Sequence, residues 1–372
     1  MKLEILVVAI SIIIFASFCA GLTPVKNQVD RRNFLSIVTT TSAPLIVGIS
    51  SPAFAIDGIF KNQEIYQPPI NSQSGKVHLI TGGSSGLGLE SSKRIAAAGG
   101  TVILTTRTES KGINAIQQVQ DYLATKNIEN SKVYYLTLNL DEFSSIQSFP
   151  ERFNLLLPNT KIDVIMNNAG VAAIPQREVT KDGFERTFQS NHLGPFMLTS
   201  LLFPYLNRDG ARIINVSSRA HGYAGDLDLN DLNNEKYTSA GWSAYSKSKL
   251  ENILFTQELQ KRADANGLDW LASYSLHPGV VGTDIWRSTP LVQKTNSLTS
   301  NIFYNNMLTV EEGSNTQIYL ATMDSKYLKK GAYYDEHGKI PKLEKFAIDP
   351  VKATGLWKIS EQMAGIDFSL TQ

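Results

Sequence analysis

A short apolar run that ends in a glycine-rich turn constrains this chain more than any other feature. Val77, Leu79 and Ile80 have the character of a buried strand. Thr81-Gly82-Gly83-Ser84-Ser85-Gly86-Leu87-Gly88 follows, and a helical segment starts near Leu89. A strand, a glycine turn and a helix N-terminus together make a phosphate cradle. Glycines let the backbone approach a pyrophosphate, and the first free N–H groups of the helix point at it. Taken alone, the turn also reads as an ordinary Gly/Ser loop.

The rest of the chain supports the cradle. Val77–Ile80 is followed by the periodic segment 87–98, and Val102–Thr105 by a segment with Ile113, Ile116, Val119 and Leu123 on one helical face. Val133–Leu138 precedes Phe143–Leu157, Ile162–Met166 precedes Phe184–Leu206, and Arg212–Val216 precedes Tyr245–Ala265. Trp270–Leu276 is expected as the last strand. Such alternation predicts parallel βαβ units in an α/β fold, a doubly wound parallel sheet with helices on both faces. No composition shift splits the body, so one domain is expected over 75–345, followed by a C-terminal helical extension over 346–372 with a helix near 350–364.

In such sheets ligands bind beyond the carboxyl ends of the strands, so residues just after each strand carry the chemistry. Thr106-Arg107-Thr108 follows the second strand. A free ribose 2′-hydroxyl is usually met by an acid there, and a 2′-phosphate by arginine, so Arg107 favours NADP over NAD. Asn167-Asn168-Ala169-Gly170, Ser217-Ser218 and His277-Pro278-Gly279 follow later strands. Tyr245 and Lys249 stand four apart at the start of a helical segment and share a face. An ammonium near a phenol stabilises its anion, which makes Tyr245 a candidate acid/base, with Ser218 able to bond the same substrate oxygen.

Other chemistries are disfavoured. Cys19 is the single cysteine and precedes the body, so no thiolate nucleophile or Cys-ligated metal is expected there. The five histidines (His78, His192, His221, His277, His337) form no ligand pair, and His192 and His221 are read as structural. A net charge of +1 gives no basic field for nucleic acid.

Thr81-Gly82-x-x-x-Gly86-x-Gly88, Asn167-Asn168-Ala169-Gly170, Asn191, Ser218, Tyr245-x-x-x-Lys249 and Pro278-Gly279 resemble, in order, the motifs of the short-chain dehydrogenase/reductase family. The resemblance implies a single Rossmann-like domain. It implies that Tyr245 moves the proton, Ser218 orients the substrate oxygen, Lys249 holds the nicotinamide ribose and Asn191 anchors a relay water. By the same resemblance Gly82, Ser84, Ser85, Gly86, Leu87, Gly88, Arg107, Asn139, Leu140, Asn168, Ala169, Gly170, Tyr245, Lys249, Pro278, Gly279, Val281 and Thr283 are expected at the cofactor. The stretches 191–196, 215–221, 249–255 and 277–283 resemble the retinol dehydrogenase-like branch, which includes protochlorophyllide reductases and acts on apolar carbonyls or alcohols, generally with NADPH. Two departures stand out. Asn139-Leu140 replaces the usual Asp-Leu after the third strand, which weakens an expected adenine contact. Ser218, a short insert before Tyr245 and the lack of later cysteines separate the chain from protochlorophyllide reductases.

The expected function is therefore NADP-dependent interconversion of an alcohol and a carbonyl on an apolar small molecule. The competing readings are light-dependent reduction of a tetrapyrrole C=C bond and a non-catalytic nucleotide sensor. The loop from about 280 to 308 is rich in apolar residues, and Trp286 is its candidate substrate contact. Family members are often dimers or tetramers, so the resemblance implies a homo-oligomer.

The first 55 residues read as a targeting leader. Ile5 to Phe18 is almost wholly apolar and small residues follow, as in a secretory signal; the alternative is a membrane anchor, which would tie the protein to a bilayer. Arg31-Arg32 then precedes a second mildly apolar stretch ending in Ala53-Phe54-Ala55, a cleavage pattern. Two signals in series resemble the multipartite leaders of proteins sent to plastids of secondary endosymbiotic algae, with the thylakoid lumen as end point; a secreted or endomembrane location is the alternative. Residues 56–74 read as an extended linker.

Overall fold

The structure, a computed structural model, describes residues 63–129, 131–283, 285 and 307–370. The leader signals and Trp286 lie outside these residues. Seven parallel strands form one sheet in the order β3-β2-β1-β4-β5-β6-β7. They are β1 (Val77–Ile80), β2 (Thr101–Thr106), β3 (Val133–Thr137), β4 (Val164–Asn167), β5 (Ala211–Val216), β6 (Leu271–Leu276) and β7 (Tyr333–Tyr334). Register is set by pairs such as His78 with Val164 and Ile213 with Ser273. The chain winds outward from β1 to β3 and then returns to β4 beside β1. That reversal opens a crevice at the carboxyl ends of β1 and β4.

Alternate strand residues feed two cores. Leu79, Ile103, Ile165 and Ile213 face one layer, and Ile80, Leu104, Met166 and Ile214 face the other. The second layer is covered by α1 (Gly86–Ala97), α2 (Glu109–Ala124) and α7, which comprises the turns Val310–Gly313 and Asn315–Thr322. The first is covered by α3 (Phe143–Gln147), α4 (Phe149–Leu156), α5 (Gly194–Leu202), α6 (Trp242–Ala265) and α8 (Pro350–Ala364). The segment Phe143–Leu157, expected as one helix, is two, because Pro150 sits in the first turn of α4. Helical turns start at Arg186, and a π turn over Gln189–Leu193 joins Arg186–Phe188 to α5.

β7 was not expected. It is two residues long and follows β6 by a loop and α7, too short to show a period of its own. The last helix, α8, is capped by Asp349, whose carboxylate accepts from Val351 N at 2.8 Å and Lys352 N at 3.2 Å. Its Trp357 is buried against Phe196, Phe255 and Phe368, with ring centroids 4.7–5.8 Å away, and the Arg262 guanidinium lies 4.4 Å over its ring.

Residues 63–66 form an extended strap pinned to α7 and α1. Gln63 N donates to Glu312 Oε1 at 3.1 Å, and Tyr66 N to Asn315 Oδ1 at 3.0 Å. Arg94, fully buried on α1, donates to Tyr66 O at 2.9 Å, to Asn315 Oδ1 at 3.0 Å and to Glu311 O at 2.6 Å. The linker thus belongs, from Gln63 on, to the folded unit. Among the described residues, no helix is long and apolar enough to cross a membrane, and no cluster of side chains could hold a metal.

Candidate active site

The glycine turn is stitched to the end of β4. Thr81 Oγ1 accepts from the backbone N–H of Asn168 and Ala169, both at 3.0 Å, and Asn168 Nδ2 donates to Thr81 O at 2.8 Å. Gly82 and Gly86 have φ of +64° and +50°, where a side chain would strain the backbone. A Cβ on Gly88 would sit 2.5 Å from Gly82 O and 2.6 Å from Asn168 Nδ2. Gln317 on α7 braces the turn from behind, donating to Leu87 O at 3.2 Å, Ser91 Oγ at 2.7 Å and Asn168 Oδ1 at 3.4 Å. Ser85 precedes α1 in an extended conformation and makes no side-chain cap bond, which leaves the first-turn N–H groups to a ligand.

A cleft of about 570 Å³ runs along this turn. Gly82, Ser84, Ser85, Gly86, Leu87, Arg107, Leu140, Asn168, Ala169, Gly170 and Thr283 all line it. Its volume suits a dinucleotide-sized ligand. Ser110, Lys111 and Asn114, which sequence reasoning missed, line it beside Arg107. Ser110 and Lys111 stand about one helical turn beyond Arg107 and Asn114 about two, so a search along the first two turns of α2 would have found them. Glu109, the nearest acid, is engaged by the Tyr135 hydroxyl at 3.2 Å. Asn139 does not line the cleft. Its Oδ1 accepts from Asp141 N at 3.2 Å, and its neighbours Leu138, Leu140 and Asp141 take the wall. Asp141 is itself held by Arg186 at 3.1 Å and by the Ser190 hydroxyl.

The catalytic candidates converge at the inner end. Tyr245 and Lys249 are both buried on α6, and Lys249 Nζ lies 5.6 Å from the Tyr245 ring centroid. Lys249 Nζ donates to Val216 O at 3.0 Å. Burial lowers the Lys249 pKa from its ordinary value to about 8. Ser217 Oγ donates to Lys249 O at 2.6 Å, joining the end of β5 to α6. Ser218 caps the 3₁₀ turn Arg219–Tyr223, its Oγ accepting from Ala220 N at 3.1 Å.

Asn191 sits in the π turn. Its Oδ1 accepts from Val171 N at 2.8 Å, and its Nδ2 donates to Val171 O and Ser248 Oγ, each at 2.9 Å. Ser248 Oγ in turn donates to Tyr245 O at 2.8 Å. A Cβ on Gly170 would meet Asn191 Oδ1 at 3.1 Å and Lys249 Nζ at 3.5 Å, so these three groups share one small space. Around Tyr245 the lining is apolar: Ala172, Ala220, Trp242 and Ile285 pack with it. Trp242, three residues before Tyr245 on the same helix, stacks edge-on at 5.9 Å. At the end of β6, Gly279 has φ +81°, and Val281 packs with Leu308, Leu87 and Val310 beneath the glycine turn.

A parallel sheet with a phosphate cradle at its switch point and a buried Tyr–Lys pair beside it defines a dinucleotide-dependent oxidoreductase. The family model for short chain dehydrogenase matches residues 76–229. Human retinol dehydrogenase 12 is 35% identical over 293 residues, which cover 78% of this chain and 87% of that protein. Among solved structures, an uncharacterized protein from Mycobacterium paratuberculosis is 30% identical with a TM-score of 0.64, covering 83% of this chain and all of that one. A blue fluorescent protein from a metagenomic library, solved with NADPH, is 27% identical with a TM-score of 0.52, covering 70% of this chain and 96% of that one. The chain belongs to the short-chain dehydrogenase/reductase family and is retinol dehydrogenase-like.

Proposed function

We propose that the chain is an NADP-dependent oxidoreductase that interconverts an alcohol and a carbonyl on an apolar small molecule, with Tyr245 as its acid/base. The observation that carries this reading is the burial of Lys249 against Tyr245, in a lining of Ala172, Ala220, Trp242 and Ile285. A desolvated ammonium beside a phenol favours the phenolate, which lets Tyr245 exchange a proton near neutral pH. Ser218 Oγ orients the substrate oxygen against Tyr245. Asn191 and Ser248 hold the backbone around Tyr245 and give the proton a polar route past Gly170. Bound NADPH supplies the hydride. Arg107 and Lys111, with the nearest acid engaged elsewhere, support the phosphorylated cofactor.

The similarity to a retinol dehydrogenase supports a long apolar alcohol or aldehyde, with retinal as the first compound to try. Full-length protein should consume NADPH in the presence of such an aldehyde. The Tyr245→Phe variant should bind NADPH within about threefold of the parent and lose turnover by about a thousandfold. Turnover retained in that variant would reject Tyr245 as the acid/base. The twin-arginine segment of the leader supports delivery to a plastid, and a mature N-terminus near Ile56 is expected by direct sequencing; a start at Met1 would reject the cleaved reading.

A further inference from the structure

Two buried histidines lie behind the turns that carry Ser218 and Gly279. Both face the ring of Tyr333 on β7, His221 edge-on at 4.9 Å and His277 tilted at 5.6 Å. Their protons are placed by their partners. His221 Nδ1 lies 2.7 Å from Ser218 O, and a carbonyl only accepts, so that nitrogen carries the proton. The backbone N–H of Gly279 donates to His277 Nδ1 at 3.2 Å, so that nitrogen is bare and the His277 proton sits on Nε2. His277 Nε2 points at Glu336 Oε2, 3.1 Å away. The other oxygen of Glu336 lies 3.8 Å from Arg219, the residue after Ser218, and 3.9 Å from His337 Nε2. Glu336 is itself buried, and its Cβ stands 3.3 Å from where a Cβ on Gly279 would be. One carboxylate therefore touches both turns.

We propose that Glu336 is a positioning residue: it holds His277 in its Nε2–H form, which leaves Nδ1 to fix the Pro278–Gly279 turn, and it ties that turn through Arg219 to the one that presents Ser218. The inference rests on the proposed function for the roles of Ser218 and Gly279. Burial keeps both histidines below their ordinary range, in line with neutral rings. The groups that face the pair are Arg219, Tyr333, Glu336, His337 and Glu344, and Asp335 acts on Tyr333. An imidazolium at His277 would place a hydrogen on Nδ1 and expel the Gly279 N–H. Acid should accordingly raise the KM for NADPH before it lowers kcat.

The test uses long-range ¹H–¹⁵N spectra of the full-length chain labelled with ¹⁵N-histidine, with signals assigned through His277→Asn and His221→Asn. At neutral pH the expected forms are neutral Nε2–H for His277 and neutral Nδ1–H for His221. A His277 found as Nδ1–H, or doubly protonated, would overturn the proposal. Glu336→Leu should mix the His277 tautomers and raise the KM for NADPH about tenfold, with kcat within about threefold. Glu336→Gln keeps an acceptor for Nε2–H, so it should keep the tautomer and most of the affinity. A Leu variant with unchanged tautomer and KM sinks the idea. Should that variant not fold, the tautomers in the parent and the Gln variant decide. The spectra do not depend on turnover, so a chain unable to use NADPH would overturn the proposed function while the His277 tautomer still judged this inference.

Discussion

The two ends of the cleft are built in opposite ways. At the inner end Tyr245 and Lys249 are 4% and 3% exposed, and α6, β5 and the π turn hold them through backbone and side-chain hydrogen bonds. At the outer end Arg107 and Lys111 are exposed and stand on the rim of β2 and α2. Charge in a desolvated, hydrogen-bonded setting acts strongly and tolerates little change. Charge on a wet rim acts weakly and can be exchanged. On the proposed function, the inner end would decide whether a reaction occurs and the outer end which cofactor takes part.

Substitutions at each end can break this contrast. Lys249→Met keeps the bulk of the side chain and removes the ammonium, so kcat/KM should fall by about a thousandfold, with circular dichroism unchanged. A loss under about tenfold would mean that the buried end is no more demanding than the rim. Because the Lys249 pKa is lowered to about 8, carbonyl reduction should also decline as pH rises through about 8, where the ammonium is lost. Arg107→Asp should shift the ratio of NADPH to NADH affinity by about tenfold toward NADH, read by fluorescence titration; an unchanged ratio would move the specificity elsewhere on the rim.

Acid sharpens the contrast from the side of stability. His192, next to Asn191, and His78 on β1 are fully buried, and burial pulls both pKa values from 6.5 to about 3. The unfolded chain takes up protons there below 6.5 while the folded chain does not. Stability is therefore intact above 6.5 and falls as pH drops from 6.5 toward 3, by about 1.4 kcal/mol per pH unit for each histidine. Urea midpoints measured across that window check the slope, and His192→Asn should remove its share. The smallest effect is expected from Lys111→Ala, which should weaken NADPH by about threefold and leave NADH unchanged.

Most of this architecture was legible in the sequence because it rests on short apolar runs, helical periodicity and motifs in a fixed order. Six strands, the glycine turn and the Tyr245–Lys249 face could be read that way. β7 could not, since two tyrosines carry no period. The π turn that presents Asn191 left no trace either, because residues 187–199 are buried on every side and carry no apolar stripe whose shift would mark it. Asn139 is expected at the cofactor by the resemblance alone, and the bond its Oδ1 accepts from Asp141 N is a local feature that no sequence pattern marks. Lys111 belongs to no motif, and only the cleft singles it out. The brace from Gln317 to Leu87 and Asn168 joins residues too far apart in the chain for any local pattern.

The strap from Gln63 to Tyr66 bears on the proposed cleavage of the leader. On that proposal the cut falls before Gln63, since a cut past Tyr66 would strip one carbonyl from the buried Arg94 guanidinium and the strap's bond to Asn315 on α7. Losing that one acceptor costs about 1 to 2 kcal/mol, because Arg94 keeps Asn315 Oδ1, Glu311 O and the Glu90 carboxylate. A chain shortened to residue 75 would thus lose the anchor of the helix that braces its glycine turn. Through Arg94 and Asn315, the strap and the helix that braces the glycine turn share one hydrogen-bond network.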